Sequence, residues 1–211
     1  MSSSRRHRER KPGRRAPFRD PKHLILIVCE GEVTEPEYFN GFKNACRNPL
    51  VEIRIARERG VPKTLVDIAK RYKKEAEKAA RKADDDNLKF DEVWVVFDVD
   101  EHPNIPDAVQ MARDNQIEVA KSNPSFELWL VLHFRESPGM QGRKVLADLL
   151  EGFIDGYDKH IDYKLFSERY PQAVARAKQL DAMAANGGQP DCNPTTGVHR
   201  LTESIRVGRS R

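Results

Sequence analysis

Two short apolar runs constrain this chain more than anything else in it. Leu24-Ile25-Leu26-Ile27-Val28-Cys29 runs straight into Glu30-Gly31-Glu32, and Val93-Trp94-Val95-Val96-Phe97 runs into Asp98-Val99-Asp100. Each is short and β-branched, as a strand buried on both faces is, and each stops at carboxylates. If the two strands lie parallel and adjacent, those carboxylates gather at the carboxyl edge of the sheet, where open α/β folds hold their ligands. Such a cluster repels itself. A divalent cation is the usual remedy, because Asp and Glu oxygens suit Mg²⁺, which keeps its other positions for water and phosphate oxygens. The expectation is metal-assisted chemistry on a phosphodiester.

Asp98 and Asp100 lie two residues apart, so on a continuing strand end both face one side and can share a cation. The metal polarises a phosphoryl oxygen and stabilises the departing alkoxide, and a second ion about 4 Å away holds both attacking and leaving oxygens. Glu30 is either a ligand or the group that handles a proton, and the sequence leaves both open. The plainer alternatives are that Glu30 and Glu32 are surface carboxylates of a loop and that the aspartates cap a helix. His102, in the loop after the second strand, is either an aid to the departing oxygen or a polar loop residue.

The remaining pattern is that of a mostly parallel sheet wrapped by helices. Thr34 and Glu37 have the spacing of a capping box, with a helix opening at Pro36 and running to about Cys46. Val51 to Ile55 alternates apolar and charged residues, which marks an edge strand. A long amphipathic helix is expected over Pro62 to Ala83. The turn at Asp84-Asp85-Asp86-Asn87 follows it, and nothing there aims the three carboxylates at one point. Further elements are a helix over Asp107 to Asn115, a strand over Ile117 to Lys121 and an aromatic helix over Leu128 to Phe134, whose spacing reads as core rather than base-stacking surface. Ser122 and Asn123 read as shaping the strand-to-helix turn. Beyond Gly142 the signals are helical: Val145 to Leu150, Ser167 to Ala185 and Thr196 to Ile205. The expected organisation is an arm over 1–21, an α/β core over 22–140 and a helical layer over 141–211 packed on it.

Charge separates the arm from the body. Residues 1–22 carry nine of the chain's 37 Lys and Arg against two of its 33 acids, so the remainder holds 28 basic and 31 acidic residues. With almost no apolar residues the arm cannot pay for folding alone and reads as disordered. Arg5, Arg6, Arg8, Arg10, Lys11, Arg14 and Arg15 are candidates for binding nucleic-acid phosphates by counterion release, the alternative being a solubilising tail. Three cysteines, Cys29, Cys46 and Cys192, have no zinc or disulfide spacing. The longest apolar run is too short for a membrane span or a signal-peptide core, so a cytoplasmic protein with no membrane partner is expected.

Three strings, in order and each at a strand end, resemble the RloB-like family. They are Ile27-Val28-Cys29-Glu30-Gly31-Glu32 with Thr34-Glu35-Pro36, then Phe97-Asp98-Val99-Asp100-Glu101-His102, then Ser122-Asn123-Pro124-Ser125-Phe126-Glu127-Leu128-Trp129 through His133-Phe134. The resemblance spans about residues 22 to 205, including Asn193-Pro194-Thr195-Thr196. That family includes AbiLii-type abortive-infection proteins and is a branch of the Toprim (topoisomerase and primase) superfamily. What the resemblance implies is a Toprim-like α/β fold in which Glu30, Asp98 and Asp100 bind Mg²⁺ or Mn²⁺ at the site of phosphodiester chemistry. It also implies that Glu127 or Glu32 can help hold a second metal. The implied setting is phage defence beside an ATPase of the AAA or ABC type.

The leading expectation is thus a metal-dependent Toprim-type endonuclease acting on DNA or on RNA such as tRNA. Two alternatives stand beside it: a nucleotidyl-transfer enzyme using the same metal geometry, and a non-catalytic nucleic-acid-binding or regulatory subunit of a defence complex.

Overall fold

The computed structural model describes residues 22–99, 102 and 104–208. Its strands are β1 (His23–Cys29), β2 (Val51–Ile55), β3 (Glu92–Asp98), β4 (Glu118–Asn123) and β5 (Thr195–Thr196). Its helices are α1 (Thr34–Cys46), α2 (Pro62–Ala83), α3 (Ile105–Asp114), α4 (Phe126–Phe134), α5 (Arg143–Glu151), α6 (Lys164–Ser167), α7 (Tyr170–Asn186) and α8 (Val198–Val207). The basic arm lies outside the described residues.

The strands form one sheet in the order β2-β1-β3-β4-β5. β1 pairs in parallel with both β2 and β3, and β3 pairs in parallel with β4. The chain leaves β1 toward one edge through α1 and returns through α2 to β3 on the other side of β1. The crevice between β1 and β3 is therefore the point where strand order reverses, the place open α/β sheets use for ligands. The alternating side chains of the strands feed two cores. Ile25, Ile27, Cys29, Trp94 and Val96 pack with α1, α4, α7 and α8, whereas Leu26, Val28, Val93, Val95 and Phe97 pack with α2 and α3. All seven residues of β1 are buried, as the unbroken apolar run requires of a central strand.

β2 is an edge strand, as its alternation indicates, and α2 has the expected bounds. Four local expectations change. The capping box does not form: α1 begins at Thr34, whose hydroxyl instead donates to the Lys159 carbonyl at 2.8 Å, while Glu37 accepts from Ile161 N–H and pairs with His160 Nδ1, each at 2.8 Å. Both side chains had better partners in a distant loop than in their own first turn. Thr196, expected to start a helix, instead forms with Thr195 a strand antiparallel to β4, and Ser122 Oγ meets Thr196 Oγ1 at 2.8 Å. Ser122 and Asn123 accordingly tie β4 to residues 191–196 rather than only shaping a turn. The helix expected over Ser167 to Ala185 begins later, as α7 at Tyr170 with Pro171 in its first turn, while Ser167 closes the short α6. Among the described residues no helix is long and apolar enough to cross a membrane.

α4 is buried nearly all round, from Phe126 to His133, so core is the right reading of its aromatic sequence. Tyr38 sits at the centre, edge-on to Phe39, Phe126, Trp129 and Tyr163. His133 is the one titratable group of α4 sealed in that core. Its Nδ1 faces the Trp129 carbonyl at 2.9 Å and so carries the proton, and its Nε2, 3.2 Å from the Tyr38 hydroxyl, accepts from it. Burial pushes its pKa down to about 4, with the charges of Arg176 and Arg169 adding to the fall. The unfolded chain takes up a proton near pH 6.5 and the folded chain does not, so this contribution to stability is intact above that pH and lost as pH falls toward 4. The expected loss is about 2 kcal/mol between pH 7.5 and 5. Urea denaturation at the two pH values checks it, and in His133→Gln that part of the pH dependence should disappear.

Candidate active site

Parallel register brings the ends of β1 and β3 together: Cys29 lies opposite Val96, and Glu30 N–H donates to the Val96 carbonyl at 2.9 Å. The Glu30 side chain then folds across to β3, where Oε2 accepts from the Asp98 N–H at 3.1 Å. Its other oxygen is 2.7 Å from His102 Nε2. Asp98, in phase with Trp94 and Val96, faces the α4 side of the sheet. Its Oδ1 accepts from the N–H of Phe126, the first residue of α4, at 2.9 Å, and Oδ2 pairs with the Arg143 guanidinium at the start of α5. Asp98 thus caps a helix, but one 28 residues along the chain. The positive end of α4 favours its carboxylate.

Glu30, Asp98, Phe126 and Arg143 line a cleft of about 770 Å³, and His102 lies in a separate hollow with Pro62 and Asp67. Glu32 is exposed on the cleft. Glu127 accepts from Ser125 Oγ at 2.5 Å and from the Tyr157 hydroxyl at 3.4 Å. Lys144 and Lys159 add basic side chains to the lining. Glu35, which reasoning from sequence did not single out as a ligand, is buried in the same cleft, with Gly31 N–H donating to its Oε1 at 3.1 Å. A Cβ at Gly31 would lie 1.9 Å from Glu35 Oε2, so any side chain there obliges the Glu35 carboxylate to shift. Arg143 and Tyr157 were also missed. An arginine 45 residues beyond Asp98 carries no local sign of its partner, whereas the Glu35 position inside the Thr34-Glu35-Pro36 string was a usable signal.

The electrostatics are those of crowded carboxylates. Burial raises the Asp98 pKa well above the usual aspartate value, the negative charges of Glu35 and Glu127 add to the rise, and Arg143 opposes it. Glu35 is raised chiefly by burial and further by Glu127 and Glu30, against the lowering effect of the N–H groups of Glu35 and Gly31. An all-oxygen donor set of mutually repelling, partly desolvated acids is chemically what Mg²⁺ or Mn²⁺ fits. The carboxylates are nonetheless not drawn into a cage. Among the described residues no three His, Cys, Asp or Glu side chains are grouped to hold a metal ion. The expected set of Glu30, Glu32, Asp98 and Glu127 is instead spread around the cleft, three of its members held by protein donors and Glu32 exposed. Asp100 and the basic residues Arg5, Arg6, Arg8, Arg10, Lys11, Arg14 and Arg15 lie outside the described residues.

A family model described as RloB-like protein matches residues 25–205. The chain belongs to the RloB-like family. No curated protein and no solved structure matches it. The RloB-like match takes in both strand endings, α4 and the Arg143 helix, so every described residue of the cleft falls within it.

Because ionising Glu35 is disfavoured in the folded state, its charge costs stability as pH rises through its elevated pKa, and none is lost below the unfolded value near 4.5. Glu35→Gln is expected to raise the urea midpoint at pH 8 and to leave it unchanged at pH 4.

Proposed function

We propose that this RloB-like protein is a divalent-metal-dependent phosphodiesterase, a nuclease of Toprim type acting on DNA or RNA. The observation that carries the reading is the meeting of Glu30 and Asp98 at the reversal point of a parallel sheet, over an open cleft that also contains Glu35 and Glu127. Glu30 and Asp98, with Asp100 two residues on, would hold Mg²⁺ or Mn²⁺. When bound, the cation supplies charge neutralisation at a phosphoryl oxygen and at the leaving alkoxide.

The chain's own groups account for the rest. The α4 N-terminus fixes one Asp98 oxygen, so that carboxylate enters the cleft in a single orientation. Glu30 is held against the same strand end by the Asp98 amide. His102, in contact with Glu30, is placed to exchange a proton with that carboxylate. Arg143, Lys144 and Lys159 offer positive charge to phosphate oxygens. Nucleotidyl transfer uses the same arrangement, and incorporation of nucleotides by the purified protein would identify it. The basic arm adds sequence-independent affinity for nucleic acid, and family resemblance extends the reading to phage defence beside an AAA or ABC-type ATPase.

A second reading has an observation in its favour. Glu30 is hydrogen-bonded to His102 and Asp98 is ion-paired with Arg143, an arrangement also suited to a non-catalytic nucleic-acid-binding subunit that keeps the fold and supplies its acids with internal partners. Incubation with Mn²⁺ or Mg²⁺ and a panel of DNA, tRNA and other RNA, with and without a neighbouring ATPase, separates the two. Asp98→Asn and Glu30→Gln are each expected to lower cleavage by about 100-fold or more while circular dichroism and melting show a folded protein. Full activity in both variants would remove the proposed site.

The arm is tested apart from the site. Deleting residues 1–21 should weaken binding to both DNA and RNA and flatten the dependence of log affinity on log salt. An unchanged slope would dismiss its phosphate-binding role.

A further inference from the structure

We propose that Arg143 is a resident counter-ion for the cation position, holding Asp98 until a divalent metal arrives and then turning to the phosphodiester. The inference rests on the metal-dependent reading above and deepens it by assigning Arg143 as a positioning residue of that site.

The argument begins with the two oxygens of Asp98. Oδ1 is committed to the fold, because it is bonded to a buried backbone amide at the start of α4. Oδ2 carries the Arg143 guanidinium, and both residues line the cleft. Asp98 has 9% of its side-chain surface exposed and Arg143 has 35%. The carboxylate is thus the buried half of the pair, and the guanidinium is the more exposed half. A buried carboxylate stripped of its partner is costly, more so with Glu30, Glu35 and Glu127 around the same cleft. A cation or a proton therefore attends Asp98 whenever metal is absent, and the Arg143 guanidinium is the cation in place.

A divalent ion on Oδ2 and a guanidinium on the same atom repel one another. The metal must displace Arg143 or share the oxygen with it at a cost, so Arg143 sets how tightly metal is held. The displaced guanidinium does not leave the site. It belongs to the first residue of α5, beside Lys144, and lines the same cleft of about 770 Å³. Its flat fork of donors matches the non-bridging oxygens of a phosphodiester. Metal binding and phosphate binding are coupled in this way through one side chain, and no bond is made or broken in the exchange.

Mn²⁺ binding to the full chain without nucleic acid, followed by the paramagnetic resonance of free Mn²⁺, tests the idea independently of cleavage. The wild type is expected to bind Mn²⁺ in a manner lost in Asp98→Asn. Arg143→Gln should bind it about tenfold more tightly, equivalent to roughly 1.4 kcal/mol, and Arg143→Lys, which holds Asp98 at one point instead of through a fork, should fall between. At saturating Mn²⁺ both variants should cleave more slowly than the wild type. If Arg143→Gln does not fold, the comparison of lysine variant with wild type carries the test. Equal or weaker Mn²⁺ affinity in the Arg143 variants, with Asp98-dependent binding in the wild type, overturns the counter-ion and leaves the metal site standing. Absence of Asp98-dependent binding in the wild type overturns both.

Discussion

The structure depends on β1 and β3 being parallel neighbours with α1 on one face of the sheet and α2 on the other. That arrangement lets two segments nearly 70 residues apart end at the same height, and the bond from the Asp98 amide to Glu30 Oε2 records the meeting. Everything chemically notable lies within reach of that bond: His102 on one side, the α4 N-terminus and Arg143 on the other, and Glu35 and Glu127 along the cleft. If β1 and β3 were exchanged for antiparallel strands, the same residues would lie at opposite ends of the sheet.

Charge in the cleft is managed by layers of partners. A helix end and backbone amides hold the carboxylates in place, a histidine hydrogen-bonds Glu30, an arginine offsets the charge of Asp98, and burial raises the cost of leaving Asp98 ionised alone. The same low-dielectric surroundings that make an unpaired acid expensive make an arriving cation more strongly attracted. A site of this kind is stable without its ligand and still retains a reason to bind it.

The strand endings, the edge position of β2 and the length of α2 were legible in the sequence because they rest on periodicity and burial that a single segment displays by itself. The pairing of Glu30 with Asp98 was legible for a related reason, since both strands had to be central. What was not legible was set by partners far along the chain. Thr34 and Glu37 have the spacing of a capping box, yet bond to Lys159, His160 and Ile161. Thr195 and Thr196 are too few to show alternation and become a strand only because β4 offers them an edge. Arg143 has no local feature that separates it from the chain's other basic residues.

The two-residue strand β5 has a consequence out of proportion to its length. It covers the backbone of Ser122 and Asn123, at the end of β4 nearest the cleft, and with Ser122 Oγ locked to Thr196 Oγ1 it leaves that stretch closed to a foreign strand. The polypeptide is thereby fastened shut by its own final quarter. A version cut short before β5 would expose a sticky border beside its most charged crevice and would tend to assemble with copies of itself.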